Sequence, residues 1–392
     1  MAIALIVAAC GGDNTVKPIV SPSSGVSPAA SVAPSAATSA VEPPPTSTPQ
    51  PTATPSVDVA KAFVASLSRG LSAEARLDGS VTVGAISLPV SGTSLLAGRD
   101  SHQTMTITTG ARAQVTETIT VDGQSYTKQG KLWFAKPAKG GGDLGAVLNA
   151  LSSLVDTGTE TKDGRNLHRL APPPGTAIPM SALGAASAGA TDGNVALEFY
   201  AEDDGTPAII SLDASWTQKV GKVDQPASMH LDMFLSRVGQ TITIAPPETV
   251  WVTTASRRLG YRVARPSDWD VEFAKKATAN DWFYGPDGDV VGVYREANCR
   301  CKLNAISAEF IRYERTHVKS FKVVSNSAAK VGGLRARVIE SRGTYPNGRS
   351  WDLTYLVVRG RAAYVLDYSS DAPLTAQDRA TAADMIGSVV FR

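Results

Sequence analysis

Val115-Thr116-Glu117-Thr118-Ile119-Thr120-Val121-Asp122-Gly123-Gln124-Ser125-Tyr126-Thr127-Lys128 decides how the first half of the chain reads. Val115, Ile119 and Val121 fall on one face and Thr116, Thr118 and Thr120 on the other, the period-two pattern of a half-buried strand. Asp122-Gly123 is a tight-turn pair, because both positions of such a turn need a left-handed backbone. The chain then returns through 124–127. Outward from this hairpin the period holds. Leu77, Gly79, Val81 and Val83 alternate with polar residues, as do Met105 and Ile107, and Leu132-Trp133-Phe134 ends the run before Pro137 and Gly140-Gly141-Gly142. Consecutive strands joined by short turns make an antiparallel meander.

Helical spacing interrupts the strands twice. Val59, Phe63, Val64 and Leu67 lie at helical intervals within 59–71. In 143–156, Asp143 suits an N-cap, Leu144, Val147, Leu148, Leu151, Leu154 and Val155 form one apolar stripe, and Gly158 follows as a stop. A strand at 166–170 and a short helix at 179–186 come next. Strands resume at 195–201 (Val195, Leu197 and Phe199 inward), at 208–216 (Ile210, Leu212, Ala214 and Trp216 inward), at 229–235 and at 240–244. A sheet with one apolar face must cover it. The expected class is α+β, a curved antiparallel half-barrel sheet wrapped around helices. Its interior is bounded by Leu144, Val147, Leu148, Leu151, Val195, Leu197, Phe199, Ile210, Leu212 and Trp216. The alternation fits a packed core and a ligand cavity alike.

The N-terminal residues set the setting. Met1-Ala2-Ile3-Ala4-Leu5-Ile6-Val7-Ala8-Ala9-Cys10-Gly11-Gly12 is an apolar run too short to span a bilayer, which takes about 20 residues, and it reads as the apolar part of a signal. Val7-Ala8-Ala9-Cys10 resembles a bacterial lipobox, which implies removal of 1–9 and acylation of Cys10. No Lys or Arg precedes Cys10, so the expected start lies upstream. The next stretch, 13–57, is rich in Pro, Ser, Thr and Ala, as in Val41-Glu42-Pro43-Pro44-Pro45-Thr46. Such a composition cannot bury enough apolar surface to offset its ordering entropy. A chain of about 45 residues reaches about 140 Å extended and about 40 Å as a coil, so it reads as a tether.

The order of lipobox, tether, short helix, Leu77-Asp78-Gly79, meander, the Val121-to-Lys128 turn and a closing Ile242-Thr243-Ile244-Ala245-Pro246-Pro247 resembles the LppX/LprG group of lipoproteins, relatives of the LolA/LolB carriers. The resemblance covers 58–250. It implies a half-barrel whose apolar cavity holds acyl chains of lipids or glycolipids and passes them outward across the envelope. The Ala- and Gly-rich stretch at 181–193 departs from that pattern.

Beyond a joint at Thr253-Thr254, residues 256–392 read as a second, smaller α+β domain. A hairpin forms around Gly285-Pro286-Asp287-Gly288, a helix over 307–320, three strands over 334–341, 351–358 and 362–368, a helix over 374–386 that Thr375 can cap, and a last strand at 388–391. Gly260-Tyr261-Arg262-Val263, Pro266-Ser267-Asp268-Trp269, Val331-Gly332-Gly333-Leu334-Arg335-Ala336 and Ser388-Val389-Val390-Phe391 resemble the PsbP/Mog1-like fold over 257–392. That resemblance implies an adaptor or binding module. These residues are also the basic part of the chain: 247–392 carry 22 Lys and Arg against 16 Asp and Glu, in a protein of net charge +2. The charges are scattered along the sequence and read as a solvated surface.

The composition, 43% hydrophobic and 19% charged over 392 residues, suits two cores. Its three cysteines, one of them in the lipobox, exclude a disulfide scaffold. Cys299-Arg300-Cys301 is a candidate disulfide across a local turn, since on an extended strand the two thiols are too far apart; free or functional thiols stay open. His102, His168, His230 and His317 have no ligand spacing, and Glu202-Asp203-Asp204-Gly205 reads as a hairpin turn rather than a cation loop. Ser327-Ala328-Ala329-Lys330 lacks the companion motifs of a serine acyltransferase. Trp251, Trp269 and Trp282 read as core rather than a sugar platform. The expectation is no catalytic residue, no metal, no cofactor and no nucleic acid. It is a lipid-anchored protein on the extracytoplasmic face of the cell membrane. Its partners are a lipid or lipidated glycan, the membrane through the acylated N-terminus, and an envelope transporter. The alternative is an envelope adaptor with a filled core.

Overall fold

The computed structural model describes residues 57–137, 153–176, 178, 190–220, 223–275 and 280–392. Cys10, the tether, Leu144, Val147, Leu148 and Leu151 lie outside the described residues, as does the short helix read at 179–186. Among the described residues the chain divides into two compact units, one spanning 70–137 and 229–392, the other 57–69 and 153–228. Among the described residues the secondary structure is mainly antiparallel sheet with three helices, an α+β chain with open sheets.

The smaller unit holds α1 (Val59–Ser68) and strands β7 (Val155–Lys162), β8 (Arg165–Ala171), β9 (Ala190–Ala201) and β10 (Pro207–Val220) in sheet order β10-β9-β8-β7. Asp58 caps α1, its carboxylate accepting from the Lys61 N–H at 3.0 Å. The helix buries Val59, Phe63 and Leu67, the spacing the sequence showed. Val155 and Asp156 belong to β7 and not to a helix, which corrects the end of the helix read at 143–156. The alternating threonines Thr157, Thr159 and Thr161 favour the strand, and the ladder from Thr159 opposite His168 to Lys162 opposite Arg165 fixes it.

The larger unit opens with a meander of β1 (Ser72–Val83), β2 (Ile86–Ala97), β3 (Asp100–Thr109), β4 (Arg112–Val121), β5 (Gln124–Gln129) and β6 (Leu132–Pro137). Val121 stands opposite Gln124 across the Asp122-Gly123 turn, with both turn residues at positive φ. On the inner face lie Ala73, Ala75, Leu77, Val81, Val90, Met105 and Ile107, all buried, while Ile119, opposite His102, and Val121 are buried on the other face of β4. Val115 is exposed, so the stripe read in β4 is buried only toward its end. On its free side β1 neighbours β11 (Val223–Ser236), of which Met229 onward belongs to this unit. Two glycines stand where strands press together: a Cβ on Gly79 would lie 2.1 Å from the His230 carbonyl oxygen, and one on Gly92 2.2 Å from that of Thr104. Residues 241–247 form no strand, contrary to the closing strand read at 240–244. Pro246 and Pro247 offer no N–H to a ladder.

The same unit continues through β12 (Val250–Ser256) and β13 (Tyr261–Pro266). Thr253 and Thr254, read as a joint, pair with Ala264 and Val263 in this hairpin, and β12 also runs parallel to β6, Val250 opposite Trp133. A seven-stranded antiparallel sheet follows, in the order β14 (Asp270–Glu272), β15 (Asp281–Tyr284), β16 (Val290–Ala297), β20 (Ala362–Ser370), β19 (Gly348–Arg359), β18 (Leu334–Tyr345) and β17 (Lys319–Val331). Helix α2 (Leu303–His317) packs against β17, β18 and β19, and α3 (Ala376–Gly387) against β13, β17 and β19. Thr375 and Asp378 form a reciprocal capping box on α3. The last strand, β21 (Val390–Phe391), pairs with β13. Trp251, Tyr261, Trp269, Phe283, Leu353, Val357, Tyr364, Leu366, Tyr368, Met385 and Ile386 form one core here. Trp251 and Trp269 are therefore interior side chains, as packing required. The strand β17 was not anticipated. Most of its side chains are exposed, so no apolar period marks it.

Candidate functional site

The apolar face of the smaller unit comes from register. Phe199, Leu197 and Val195 on β9 stand opposite Ile210, Leu212 and Ala214 on β10, and Trp216 extends the row. All are buried, from Phe199 at 0% to Trp216 at 8% exposed. The structure thus brings together the six described residues read as cavity-lining: Val195, Leu197, Phe199, Ile210, Leu212 and Trp216. Phe63 of α1 meets Phe199 with ring centroids 5.4 Å apart. Leu167 and Leu170 of β8 are fully buried, and Leu170 stands opposite Phe199.

The opposite face of the same strands is polar because the side chains alternate. Glu198 and Tyr200 project there. The Tyr200 hydroxyl donates to Glu198 Oε2 at 3.0 Å, Arg169 donates to Glu198 Oε1, and Lys162 Nζ sits 4.6 Å from the Tyr200 ring centre. The Arg169 guanidinium holds the Glu198 carboxyl below its ordinary range, against a smaller upward push from burial. Burial first, and the hydrogen bond to the Glu198 carboxylate second, raise the Tyr200 phenol. The group is an ion network in which Arg169 Nε is buried without a hydrogen-bond partner, 3.9 Å from Glu160 Oε2. Each acid of the Glu202-to-Gly205 turn is also engaged: Glu202 with Arg165 at 3.0 Å, Asp203 with His168 at 3.3 Å, and Asp204 with the Thr206 N–H at 2.8 Å. Among the described residues no cluster of three His, Cys, Asp or Glu could hold a metal ion. Cys299 and Cys301 form a disulfide, Cα atoms 5.3 Å apart, directly after Asn298 at positive φ, so the pair spans a turn.

Sequence reasoning missed a group of acids between α2 and the seven-stranded sheet. Asp352 on β19 accepts from the Ser350 hydroxyl at 2.6 Å, and the Thr354 hydroxyl donates to Asp367 Oδ1 on β20 at 2.5 Å. Tyr345 of β18 donates to Glu314 Oε2 of α2 at 3.1 Å and approaches Asp352 Oδ2 at 3.4 Å. Burial pushes Asp352 up to about 6, with the Glu314 charge adding to it. Burial pushes Asp367 up to about 7, with the Asp352 charge next in size. Glu314 is raised by burial as well. One signal in the sequence marks this group: Asp352 and Asp367 each interrupt an apolar strand, in Trp351-Asp352-Leu353 and Leu366-Asp367-Tyr368. The site can retain protons near neutral pH.

The architecture defines an α+β chain of open antiparallel sheets. Among the described residues no helix is long and apolar enough to cross a membrane. No protein-family model and no curated protein sequence matches the chain. Among solved structures it is similar to the cyanobacterial PsbP of Synechocystis, at 11% identity over 39% of this chain and 99% of that one, TM-score 0.31. It is also similar to LprF of Mycobacterium bovis, at 14% identity over 48% and 95%, TM-score 0.29. A third is MucB in complex with MucA, at 11% identity over 86% and 98%, TM-score 0.23.

Proposed function

We propose that the chain is a non-enzymatic, lipid-anchored envelope protein that binds lipids or acylated glycolipids along an apolar interior and hands them on, moored through Cys10 at the extracytoplasmic face. The observation that carries the reading is the in-register apolar row of Val195, Leu197, Phe199, Ile210, Leu212 and Trp216 on β9 and β10. Each CH₂ of an acyl chain laid against such a row contributes about 0.8 kcal/mol. What supports a half-barrel is the pair of close approaches at Gly79 and Gly92. Glycines without room for a Cβ on adjacent strands are how sheets are bent sharply. The 13–57 tether gives the reach for transfer, and an envelope transporter is the expected recipient.

The second reading, an adaptor with a filled core, has its own observation: Phe63 already contacts Phe199, beside the fully buried Leu167 and Leu170. Mass spectrometry of an organic extract of the purified protein separates the two. Co-purifying acyl lipid in stoichiometric amount supports the carrier. Leu212→Trp sharpens the contrast. In a carrier it displaces lipid with little loss of stability, whereas in a filled core it costs about 1–3 kcal/mol with no lipid to lose. An extract free of lipid, together with that loss, refutes the carrier reading.

A further inference from the structure

The charge of the C-terminal half is not spread evenly. Arg257 and Arg258 lie on the turn between β12 and β13, Arg359 at the turn between β19 and β20, Arg295 on β16, and Arg392 after β21. These five arginines line one concavity of about 370 Å³ with Leu259, Gly260, Gly360, Ala362 and Tyr364, and no carboxylate side chain is among its lining residues. Arg359 donates to the main-chain oxygen of Arg392, the last residue of the sequence. Among the described residues, no acid pairs with Arg257, Arg258 or Arg295.

The pocket is held in shape before anything enters it. Leu259 is buried at 1% exposure, its N–H donates to Ser256 Oγ at 3.2 Å, and its carbonyl accepts from the Tyr364 hydroxyl at 3.0 Å. The Gly260 N–H donates to Ser256 O at 3.0 Å, and Gly260 O accepts from the Arg392 N–H at 2.7 Å. Gly260 takes φ +74°, a left-handed conformation that lets the turn close under its two arginines. Arg295 stands opposite Tyr364 across the β16–β20 ladder, its guanidinium 5.9 Å from the ring centre, and its Nε is buried without a partner. A buried charged donor left unpaired is unfavourable, and so is the convergence of like charges. Arginines on turns are ordinarily solvated and dispersed. Here they converge on a rigid concavity with an orphan donor at its wall.

We propose that this concavity binds a phosphate group. A guanidinium fork matches phosphate and carboxylate alike. A carboxylate, however, is planar and satisfies one or two forks, whereas a tetrahedral phosphate presents oxygens toward arginines arriving from several elements. The phosphate comes either from a soluble ester or from a lipid headgroup, and the inference does not depend on what the β9–β10 row holds.

The test uses the full chain in two arms. Titration calorimetry with inorganic phosphate and pyrophosphate reads soluble anion binding. Co-sedimentation with phosphatidylglycerol vesicles, against phosphatidylcholine vesicles as the neutral control, reads the headgroup. The expected result is binding in at least one arm, weakened at least tenfold in both Arg258→Glu and Arg295→Gln and unchanged in Arg335→Ala, an exposed arginine outside the pocket. Circular dichroism melts establish that the variants are folded. Arg257→Ala, whose exposed side chain has no hydrogen-bond partner among the described residues, serves in place of any variant that is not. Binding in phosphate alone assigns a soluble ester; binding to anionic vesicles alone assigns a headgroup. Absence of binding in both arms overturns the proposal, as does binding that the pocket variants leave intact.

Discussion

The acids under α2 make the C-terminal sheet a pH-dependent structure, and the sign is fixed. Asp352 rises from its ordinary 3.8 to about 6 and Asp367 from 3.8 to about 7 in the folded chain. A raised carboxyl keeps its proton longer in the folded state than in the unfolded one, so the folded state binds more protons between about pH 4 and pH 7. The favourable contribution is therefore complete below about pH 4 and is lost as pH rises through about 6 to 7. At about 1.4 kcal/mol per pH unit, the single losses are about 3 kcal/mol for Asp352 and about 4 for Asp367. Part of Asp367's rise comes from the charge on Asp352, so the pair loses less than the sum, about 4 kcal/mol. Hydrogen exchange of the β19 and β20 amides, corrected for intrinsic rates, reads this locally. Their opening free energy should fall by about 4 kcal/mol from pH 4 to pH 8. In Asp352→Asn/Asp367→Asn, which mimics the protonated pair, most of that slope should vanish, and the sheet should gain stability at pH 8. A flat profile in the parent protein, or an undiminished slope in the double variant, refutes the reasoning.

Three further outcomes follow from packing. Gly79→Ala and Gly92→Ala each place a methyl against a neighbouring strand's carbonyl, and each should cost about 1–3 kcal/mol in thermal unfolding. Phe63→Ala removes the ring that meets Phe199 and should cost about 3–5 kcal/mol, read as faster exchange in α1, β9 and β10. Thr375→Ala breaks the capping box of α3 and should cost about 1 kcal/mol, with a lowered melting temperature, while Thr375→Ser should retain most of the stability.

What was legible in the sequence is what repeats locally. The Asp122-Gly123 hairpin, the α1 stripe of Val59, Phe63 and Leu67, and the rows of β9 and β10 each follow from a period of two or 3.6 within one segment. Two failures share a different cause. Strand β17 carries no apolar alternation because it lies at a sheet edge and buries little, so only its pairing with β18 makes it a strand. Val155 looked like the last rung of a helical stripe, but the ladder of β7 with β8 claims it instead. Pairing partners are chosen by tertiary structure, and a one-segment pattern cannot register them.

The charged sites were invisible for the same reason at longer range. Arg257, Arg295 and Arg359 are far apart in sequence, and counted by segment they look like an ordinary solvated surface. Asp352 and Asp367 look like isolated polar residues in apolar strands. The β16–β20 ladder places Arg295 opposite Tyr364, the β12–β13 turn carries Arg257 to the same concavity, and the β19–β20 ladder places Thr354 opposite Asp367. Elements of both sheets thus gather arginines around one concavity, while the acids of the seven-stranded sheet lie beneath α2. A fold selected for stability alone would pair these charges or replace them with apolar side chains, because buried ions and converging like charges are both unfavourable. The two groups separate by condition: anion binding by arginines persists across the pH range in which the acid group loses its protons. Phosphate affinity in the Asp352→Asn/Asp367→Asn variant should therefore match that of the parent protein within about twofold, since the sites share no side chain. A larger change would mean that the two charge groups communicate through the strands between them.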